Sequence, residues 1–436
     1  MNQLKKVLLF GAGKSASALI DYLILSAEEN NWDVIVADAN AALIKEKTNN
    51  RPHSTSVPLD INDASKRRLL IESSDIVISM MPPSLHILIA NDCLQYGKSL
   101  LTASYADEAI LALDKNVKEK GLLFLCEMGL DPGIDHMSAM QLLDEIDEKG
   151  GKVVSFKSHC GGLVAPESDN NPWHYKISWN PRNVVLAGKS GAIYKKDGNI
   201  VQEEYEQLFD SKRSVTFENE NLSSFSYYPN RNSLPYIDLY RLHHVQTFIR
   251  TTLRHPDFMS GWNNLVQLKM TDESLTYSSD AKTLADFYNE YLNTYNFDKN
   301  ENSLFKQQLE YLGLHDTVTK INKGICSVAD VLQLALEKKL VLSKEDKDMI
   351  VMLHEIDYAL NGKNHTIKSS LVVKGENHIH TAMAKTVGLP LGIAAKFILN
   401  GTIKQSGVQI PISKEIYLPV LAELRKYGVQ FNEHRI

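Results

Sequence analysis

A glycine-rich turn near the start of the chain has the residue types and spacing that bind a pyrophosphate. The segment LLFGAGKSASAL fits G-x-G-x-x-A, with small residues at Gly11, Gly13 and Ala16. The first permits a tight turn, the second lets backbone approach the anion, and the third lets a helix pack closely on the preceding strand. The anion would lie at the N-terminus of that helix, where free N–H groups and the helix dipole favour negative charge. The motif alone is equally compatible with a plain turn.

An acidic residue at the end of the next apolar run strengthens the dinucleotide interpretation. Asp38 closes VIVAD, where a carboxylate would bond the ribose hydroxyls of NAD. The alternative for Asp38 is a helix N-cap ahead of AALIKEK. A carboxylate beside a 2′-phosphate places like charges together, which costs several kcal/mol. Because ANAALI offers no arginine to reverse this, the sequence predicts NAD as cofactor, with NADP disfavoured.

The elements that position these residues alternate regularly over the first 128 residues. Short apolar runs such as KKVLLF, DVIVAD and DIVISMM predict strands, and SASALIDYLILSAEE and SLHILIANDCLQY predict helices. This alternation predicts an α/β fold with a doubly wound parallel sheet of the Rossmann type.

The loops MMPPSLHI and LTASYADE follow the fourth and fifth predicted strands, at the sheet edge where ligands bind. Ser104 and Tyr105 are expected to contact ligand there, the alternatives being a helix N-cap and edge packing. The predicted cofactor-binding residues are Gly11, Ala12, Gly13, Lys14, Ser15, Ala16, Asp38, Met81 and Thr102.

The remaining chain predicts a second, mixed α/β domain. A helix, GIDHMSAMQLLDEIDEKGG, precedes strand-like runs that include KVVSFKSHC, SVTFEN and GAIYKKDGNIVQE, the last with an Asp-Gly hairpin signal. YIDLYRLHHVQTFIRTTLR is interpreted as helical, and DMIVMLHEIDYAL and HTIKSSLVVKG flank an Asn-Gly turn. The tail HTAMAKTVGLPLGIAAKFILNG predicts a helix bent near Gly388 and Pro390. The expected domains are 1–128 completed by 385–436, a substrate and dimerisation domain of 129–234 with 346–384, and a helical insertion of 235–345.

Composition excludes several partners for a chain of 436 residues. The net charge of −6 gives no electrostatic reason to bind nucleic acid or an anionic membrane. The four cysteines lack C-x-x-C spacing, so neither a disulfide framework nor a zinc knuckle is predicted. No signal peptide or membrane span is evident, and a cytoplasmic protein is expected. The histidine pairs HHVQ and HIH lack a third ligand, so no metal is expected.

Several longer motifs resemble the saccharopine dehydrogenase family, in its L-glutamate-forming branch. They are LTASY, EMGLDPGIDH, SHCGGLVAPE and PWHYKISWNPRNVVLAG, joined by YYPNRNSLPYIDLYRL, TFIRTTLRHPDF and AMAKTVGLPLGIAAKFILNGTI. The resemblance covers nearly the whole chain. It implies a Rossmann domain completed by the C-terminus, and a second α/β domain with a helical appendage that completes the substrate site. A homodimer is expected.

The resemblance also implies the reaction: NAD(P)-linked oxidative cleavage of saccharopine to glutamate and 2-aminoadipate 6-semialdehyde, in the degradative direction of lysine metabolism. The chain departs from fungal relatives in carrying Asp38 where those have an arginine-bearing loop suited to NADP. It also carries His159 before CGG, a position where relatives vary.

Saccharopine has three carboxylates, a primary ammonium and a secondary amine, so its site needs cations and an acceptor. Arginine bonds carboxylates bidentately, and Arg182 and Arg231 lie within motifs that match the family. The alternative for each is a surface ion pair. Asp131 in GLDPG could pair with the ammonium, or could simply stabilise an Asx-type turn. The predicted substrate-binding residues are Ser104, Tyr105, Asp131, Arg182, Asn230, Arg231 and Asn232.

A general base should remove the proton of the secondary amine before hydride leaves. The candidates are Asp131 and His159, with His136 and Cys160 ranked lower, and catalysis by positioning and water remains an alternative. Two other functions also stay open. One is a related carboxynorspermidine or opine-type reductase, and the other is a non-catalytic NAD-binding interaction protein.

Overall fold

The structure, a computed structural model, describes residues 4–210, 212–217, 222, 224–295 and 303–436. These residues divide into two units. The first consists of the chain up to Gly151 together with Ile379–Phe431, and the second of Lys152–His378 together with Asn432–Ile436.

The N-terminal segment alternates strands with helices. Its strands are β1 (Lys5–Phe10), β2 (Trp32–Asp38), β3 (Ser54–Pro58), β4 (Ile76–Ser79), β5 (Ser99–Thr102) and β6 (Leu123–Leu125). Its helices are α1 (Ser17–Leu25), α2 (Ala27–Asn30), α3 (Ala41–Thr48), α4 (Ala64–Glu72), α5 (Pro83–Tyr96), α6 (Glu108–Leu111), α7 (Asp114–Glu119) and α8 (Ile134–Glu148).

The middle segment is richer in strands. These are β7 (Lys152–Val164), β8 (Ala192–Lys196), β9 (Asn199–Glu203), β10 (Ser214–Val215), β11 (Phe225–Pro229), β12 (Arg231–Asn232), β13 (Thr247–Arg254), β14 (Thr276–Ser278), β15 (Ile325–Ser327), β16 (Asp348–Leu360) and β17 (Lys363–Lys374). Its helices are α9 (Pro181–Val185), α10 (Pro235–Leu239), α11 (Pro256–Gln267), α12 (Leu284–Thr294), α13 (Leu304–Leu312) and α14 (Val328–Lys339). The C-terminal segment adds α15 (Ala382–Leu399), β18 (Gly407–Gln409), α16 (Lys414–Lys426) and β19 (Asn432–Arg435).

The first unit is built on a seven-stranded sheet in the order β18-β6-β5-β4-β1-β2-β3. All its neighbouring strands are parallel. The inner strands are buried runs of Val, Leu and Ile, as expected where helices cover both faces. The predicted doubly wound parallel sheet is confirmed. The strand order reverses at β1, which has β2 on one side and β4 on the other.

The unit boundaries differ from the expected domain boundaries at three places. Residues 379–384 were expected in the second domain but lie in the first unit. Helix α8 was expected in the second domain, but it lies in the first unit, where the hydroxyl of Tyr417 on α16 donates to the carboxylate of Asp144 at 2.6 Å. Residues 432–436 were expected to complete the first domain, but β19 pairs antiparallel with β17 in the second unit.

Helix α15 packs against α1 through two glycines. A Cβ on Gly388 would come 2.9 Å from the backbone nitrogen of Leu19, and one on Gly392 would come 2.5 Å from the ring of Tyr22. Among the described helices, α15 is long and apolar enough to cross a membrane by length and composition, yet 67% of its residues are buried inside the fold. Burial against α1 accounts for this composition. The predicted tail helix is confirmed, and it runs through Pro390.

The second unit has a mixed sheet of ten strands. Its main path is β10-β11-β13-β7-β16-β17-β19, with β8, β9 and β12 branching from it. The predicted hairpins at Asp197–Gly198 and Asn361–Gly362 are confirmed, and all four residues have positive φ angles, between 49° and 83°. Positive φ at both central residues is the requirement of a type I′ turn. For SVTFEN the structure has β10 at its first two residues, and its last two lie outside the described residues.

One predicted helix is wrong. Within YIDLYRLHHVQTFIRTTLR only Pro235–Leu239 is helical, and Thr247–Arg254 is strand β13, parallel to β7 and antiparallel to β11. The β-branched residues of TFIRTTL favour a pleated strand over a helix. The expected helical insertion therefore contains a strand of the main sheet, although α11 to α14 do share one buried core with Trp173 and Trp262.

The glycine contact of α15 can be tested by Gly388→Ala. In an ordinary helix interior this change stabilises by up to ~1 kcal/mol. Here the added methyl group meets Leu19 backbone, and overpacking of this kind costs ~1–3 kcal/mol. A lower free energy of unfolding in urea is therefore expected. A more stable variant would show that α15 and α1 do not approach this closely.

Candidate active site

The glycine turn is shaped by close approach of two backbone segments in the first unit. Gly11 follows β1 with φ +96°, and a Cβ there would come 2.9 Å from the carbonyl oxygen of Met80. A Cβ on Gly13 would meet nothing within 4 Å, so this side of the turn is open. A short 3₁₀ turn, Lys14–Ala16, then leads into α1, and Ala16 is buried. Open backbone at a helical N-terminus fits the pyrophosphate of a dinucleotide.

The carboxylate of Asp38 is fixed beside this turn. One oxygen accepts from the backbone N–H of Ala12 at 2.8 Å, and the other from the N–H of Asn40 at 2.9 Å. The N-cap of α3 is Asn40, whose side chain accepts from Leu43, so the capping alternative for Asp38 is wrong. The structure brings together Gly11, Ala12, Gly13 and Asp38, as the sequence predicted.

A lysine that the sequence argument missed also reaches the glycine turn. Lys47 on α3 donates from Nζ to the carbonyl oxygen of Gly13 at 2.5 Å. Desolvation lowers the pKa of Lys47 to about 8, so the ammonium form still predominates at neutral pH. Lys47 lies on the helix that directly follows the Asp38 loop, and this closeness in the sequence was the available signal for it. The Lys47 ammonium would attract the 2′-phosphate of NADP, whereas the Asp38 carboxylate would repel it.

A buried histidine links the ends of β4 and β5. His86 on α5 has Nδ1 2.8 Å from the hydroxyl of Ser79, and Nε2 2.8 Å from that of Ser104 and 3.2 Å from that of Thr102. Desolvation lowers the pKa of His86 to about 4, so the ring is neutral near pH 7. Predicted Thr102 and Ser104 are therefore positioned by a residue that the sequence argument passed over. Met81, which follows β4, is half-buried against the apolar core of this unit.

A second buried histidine holds the loop that carries Ser104 and Tyr105. His136 on α8 has Nε2 2.8 Å from one oxygen of Glu127 and Nδ1 3.6 Å from Asp135. The other Glu127 oxygen accepts from the N–H of Ala106 at 3.2 Å. All three titratable groups are at most 5% exposed. His136 therefore fixes the loop after β5, in agreement with its low rank as a base.

Tyr105 and Asp131 are both half-buried in this unit. The peptide bond between Asp131 and Pro132 is cis. Asp131 lies three residues before the start of α8, and of the two named base candidates it has the larger accessible surface.

His159, the other named base candidate, is enclosed in the sheet of the second unit. It is 1% exposed. Its Nδ1 lies 2.7 Å from the hydroxyl of Thr251, and its Nε2 lies 3.3 Å from the carboxylate of Glu355. Its hydrogen bond holds the pKa of Glu355 below the ordinary value. Both ring nitrogens of His159 therefore have protein partners, and the side chain has almost no accessible surface.

Arg182 is held by protein acceptors. Its guanidinium donates to Asp330 at 2.9 Å and to Gln333 at 3.3 Å, and it pairs with Glu273 at 2.5 Å. Asp330 is also the capping-box residue of α14, so Arg182 ties α9 to the start of that helix. A substrate carboxylate would have to displace these two protein carboxylates.

The segment 230–232 presents two exposed side chains. Arg231 and Asn232 form strand β12, and Arg231 has φ +55°. The N–H of half-buried Asn230 donates to the carbonyl oxygen of Arg250 at 2.8 Å. The Asn232 side chain accepts from the N–H of Leu234 at 3.0 Å, so that amide supports the turn.

Two buried arginines on β13 were not singled out by the sequence argument. Arg250 is 3% exposed and lies 4.4 Å from the ring centre of Tyr236. Arg254 is 4% exposed and lies 5.3 Å from the ring centre of Tyr175. Their spacing in TFIRTTLR places them on one face of the strand. That alternation was the available signal, and the helical interpretation of this segment concealed it.

The fold and the first-unit site together define a Rossmann-type nucleotide-binding protein. The chain matches the family models "Saccharopine dehydrogenase NADP binding domain" over residues 7–125 and "Saccharopine dehydrogenase C-terminal domain" over residues 129–429. It belongs to the saccharopine dehydrogenase family.

Individual relatives agree with this assignment. The chain is 32% identical to saccharopine dehydrogenase [NADP(+), L-glutamate-forming] of Saccharomyces cerevisiae, over 99% of both proteins. The solved apo structure of a histidine-tagged saccharopine dehydrogenase (L-Glu forming) from S. cerevisiae matches with a TM-score of 0.86, over 99% of this chain and 100% of that one. Mitochondrial alpha-aminoadipic semialdehyde synthase of Mus musculus is 34% identical over 99% of this chain, which spans 48% of that protein's length.

Burial of neutral His86 should make stability depend on pH. Its folded pKa is about 4, below the ordinary value of 6.5, so the unfolded state binds the extra proton between these values. Stability is therefore full above pH 6.5 and falls as the pH drops toward 4. Between pH 7 and 5 the loss from this group is about 2 kcal/mol. Urea unfolding should show a correspondingly smaller pH-dependent loss in His86→Gln, and an unchanged pH slope would contradict the assignment.

Proposed function

We propose that this chain is a saccharopine dehydrogenase that oxidises the C–N linkage of saccharopine with NAD, giving L-glutamate and 2-aminoadipate 6-semialdehyde in lysine degradation. The observation that carries the proposal is the match to the L-glutamate-forming enzyme over 99% of both chains. The glycine turn and Asp38 support the proposal, because their geometry suits a dinucleotide.

The residues of the first unit fit a nicotinamide dinucleotide. Backbone at Gly13 and the start of Lys14–Ala16 would hold the pyrophosphate, and Asp38 would accept from ribose hydroxyls. A nicotinamide bound there would supply a hydride acceptor for the carbon beside the secondary amine. The hydroxyls of Thr102 and Ser104, fixed by His86, and the loop bearing Tyr105 order this edge of the sheet.

We propose that Asp131 takes the proton of the secondary amine, because it keeps more accessible surface than His136, His159 and Cys160. The secondary amine of saccharopine must be neutral before hydride can leave its neighbouring carbon. His159 has both nitrogens bonded inside the protein, and buried Cys160 has little access to a ligand. Asp131 has accessible surface and follows the sheet edge closely. Water then attacks the resulting imine, and the C–N bond breaks to release the amine of glutamate and the aldehyde.

The same proposal includes a cytoplasmic homodimer. In the described structure the four cysteines are free thiols, which suits a reducing compartment.

Turnover itself is the first test of this function. Absorbance at 340 nm should rise when the purified protein meets saccharopine and NAD. No change with either coenzyme, in either reaction direction, would refute the function.

The coenzyme preference tests the role of Asp38, because the names of the family model and of the fungal relatives specify NADP. Like-charge repulsion should make kcat/KM for NAD more than tenfold higher than for NADP. Asp38→Asn should reduce that ratio. Asp33→Asn, on the same strand and paired with His53, is the matched control and should not. Equal or better use of NADP by the wild type would instead assign the decisive role to Lys47.

The arginines test substrate recognition. Arg231→Ala should lower kcat/KM for saccharopine. The loss should correspond to an activation free energy raised by ~2–5 kcal/mol, if a substrate carboxylate is left desolvated and unpaired. Arg182→Ala is the matched comparison, and because its guanidinium is held by Asp330 and Glu273 we expect a lower thermal midpoint with kcat/KM retained. Wild-type kinetics in Arg231→Ala would remove Arg231 from the site. A large loss of kcat/KM in Arg182→Ala would restore that residue to it.

A further inference from the structure

Two histidines and two aspartates from separate parts of the second unit meet at one point. His174 and Asp169 lie in the loop after β7, and His255 and Asp257 lie at the start of α11. Suitable ligand atoms of His174, His255 and Asp257 all lie within 4.8 Å of one another. The sequence does not indicate this group, because its two halves are some eighty residues apart and neither has a metal-ligand spacing of its own.

The distances suit a small tetrahedral cation. Asp257 Oδ2 lies 3.2 Å from His174 Nε2 and 3.9 Å from His255 Nδ1. Zinc with ligands at 2.0–2.1 Å has ligand atoms about 3.3–3.4 Å apart. Turning the two imidazoles out of their present stack would bring the three atoms onto one ion. The two imidazoles are stacked, with ring centres 3.9 Å apart.

Outside these three residues, Asp169 provides the support that metal-binding histidines usually have. Its Oδ2 lies 2.7 Å from His174 Nδ1, the nitrogen that points away from Asp257. This is the arrangement in which a carboxylate fixes the tautomer of a ligating histidine and raises its basicity. The other oxygen, Oδ1, is buried and lacks a hydrogen-bond partner among the described residues. Asp169 is therefore directed at His174 rather than engaged in a wider network.

The Nδ1 of His255 carries a lone pair, which accepts a long 3.2 Å hydrogen bond from the N–H of Asp257. A metal ion bound at this nitrogen would replace that hydrogen bond. Two stacked imidazolium ions would repel each other, whereas one dication between two neutral rings and two carboxylates is balanced in charge.

We propose that Asp257, His174 and His255 bind a divalent transition-metal ion of the zinc class, with Asp169 orienting His174. Three protein ligands leave a fourth coordination position for water or a small anionic ligand. A cleft of about 230 Å³ adjoins the site, lined by Asp169, His174 and His255 together with apolar side chains such as Leu163, Phe225 and Met349. The ion is independent of the dehydrogenase reaction proposed above.

The full-length, tag-free protein, stripped with EDTA, should bind one equivalent of Zn²⁺ or Co²⁺ by calorimetry. Bound Co²⁺ should show the visible absorption of a four-coordinate ion. Substoichiometric binding, or cobalt that keeps the spectrum of the hexaaqua ion, would overturn the proposal.

Variants locate the ion. His255→Asn removes a ligand but retains a side chain that can cap α11. Asp169→Asn removes only the partner that orients His174, and should weaken metal binding by ~10–100-fold. His255→Asn should weaken metal binding by more than that. His243→Asn is the matched control, an exposed histidine of the same unit that pairs with Asp238 at 3.2 Å, and it should bind as wild type does.

Equal affinity in wild type and His255→Asn, or an equal loss in the control, would overturn the assignment. If His255→Asn is poorly folded by circular dichroism, Asp257→Asn takes its place with the same expectations. Zn²⁺ should also raise the thermal midpoint of wild type and of the control, but of neither ligand variant.

Discussion

The turn after β1 exists because Gly11 carries no side chain. With φ at +96° and the carbonyl oxygen of Met80 2.9 Å from where a Cβ would lie, another residue there would push apart two neighbouring strands, β1 and β4. The strand order reverses at this point, so the loops leaving β1 and β4 diverge and leave room for a ligand. Asp38 is fixed against the same turn through the N–H of Ala12. Backbone contact at one glycine thus determines where the dinucleotide can lie.

Local patterns predicted the first unit well, because its strands are short buried runs and its connections are short. Glycine spacing and the acid after β2 act within one βαβ unit, so sequence distance and spatial distance nearly coincide there. The Asp-Gly and Asn-Gly hairpins were predictable for the same reason, since two residues fix both the turn type and the pairing. Strand β13 was mispredicted because its mixture of arginines and apolar residues reads as an amphipathic helix when neighbouring strands are unknown.

Roles of individual charged residues were harder to predict, since they depend on partners far away in the chain. Arg182 was expected to face a ligand, yet its acceptors Glu273 and Asp330 come from two distant segments. His159 was a candidate base, but in the structure Thr251 and Glu355 are the hydrogen-bond partners of its two ring nitrogens. His86 looked like any polar residue on a helix, but burial beside Ser79 and Thr102 makes it the support of the sheet edge. The type of a residue predicts which interactions it can make. Which of these interactions it does make depends on the residues that the fold brings next to it.

The distribution of the first unit over two distant stretches of chain has a consequence for biosynthesis. The face of α1 formed by Leu19 and Tyr22 is covered only when α15 emerges from the ribosome. At ~5–20 residues per second, roughly twenty seconds or more separate the translation of these two helices. During that interval Leu19 and Tyr22 lack the contacts with α15 that cover them in the folded protein. Nascent chains of this protein are therefore expected to depend on chaperones at the ribosome until α15 has been made.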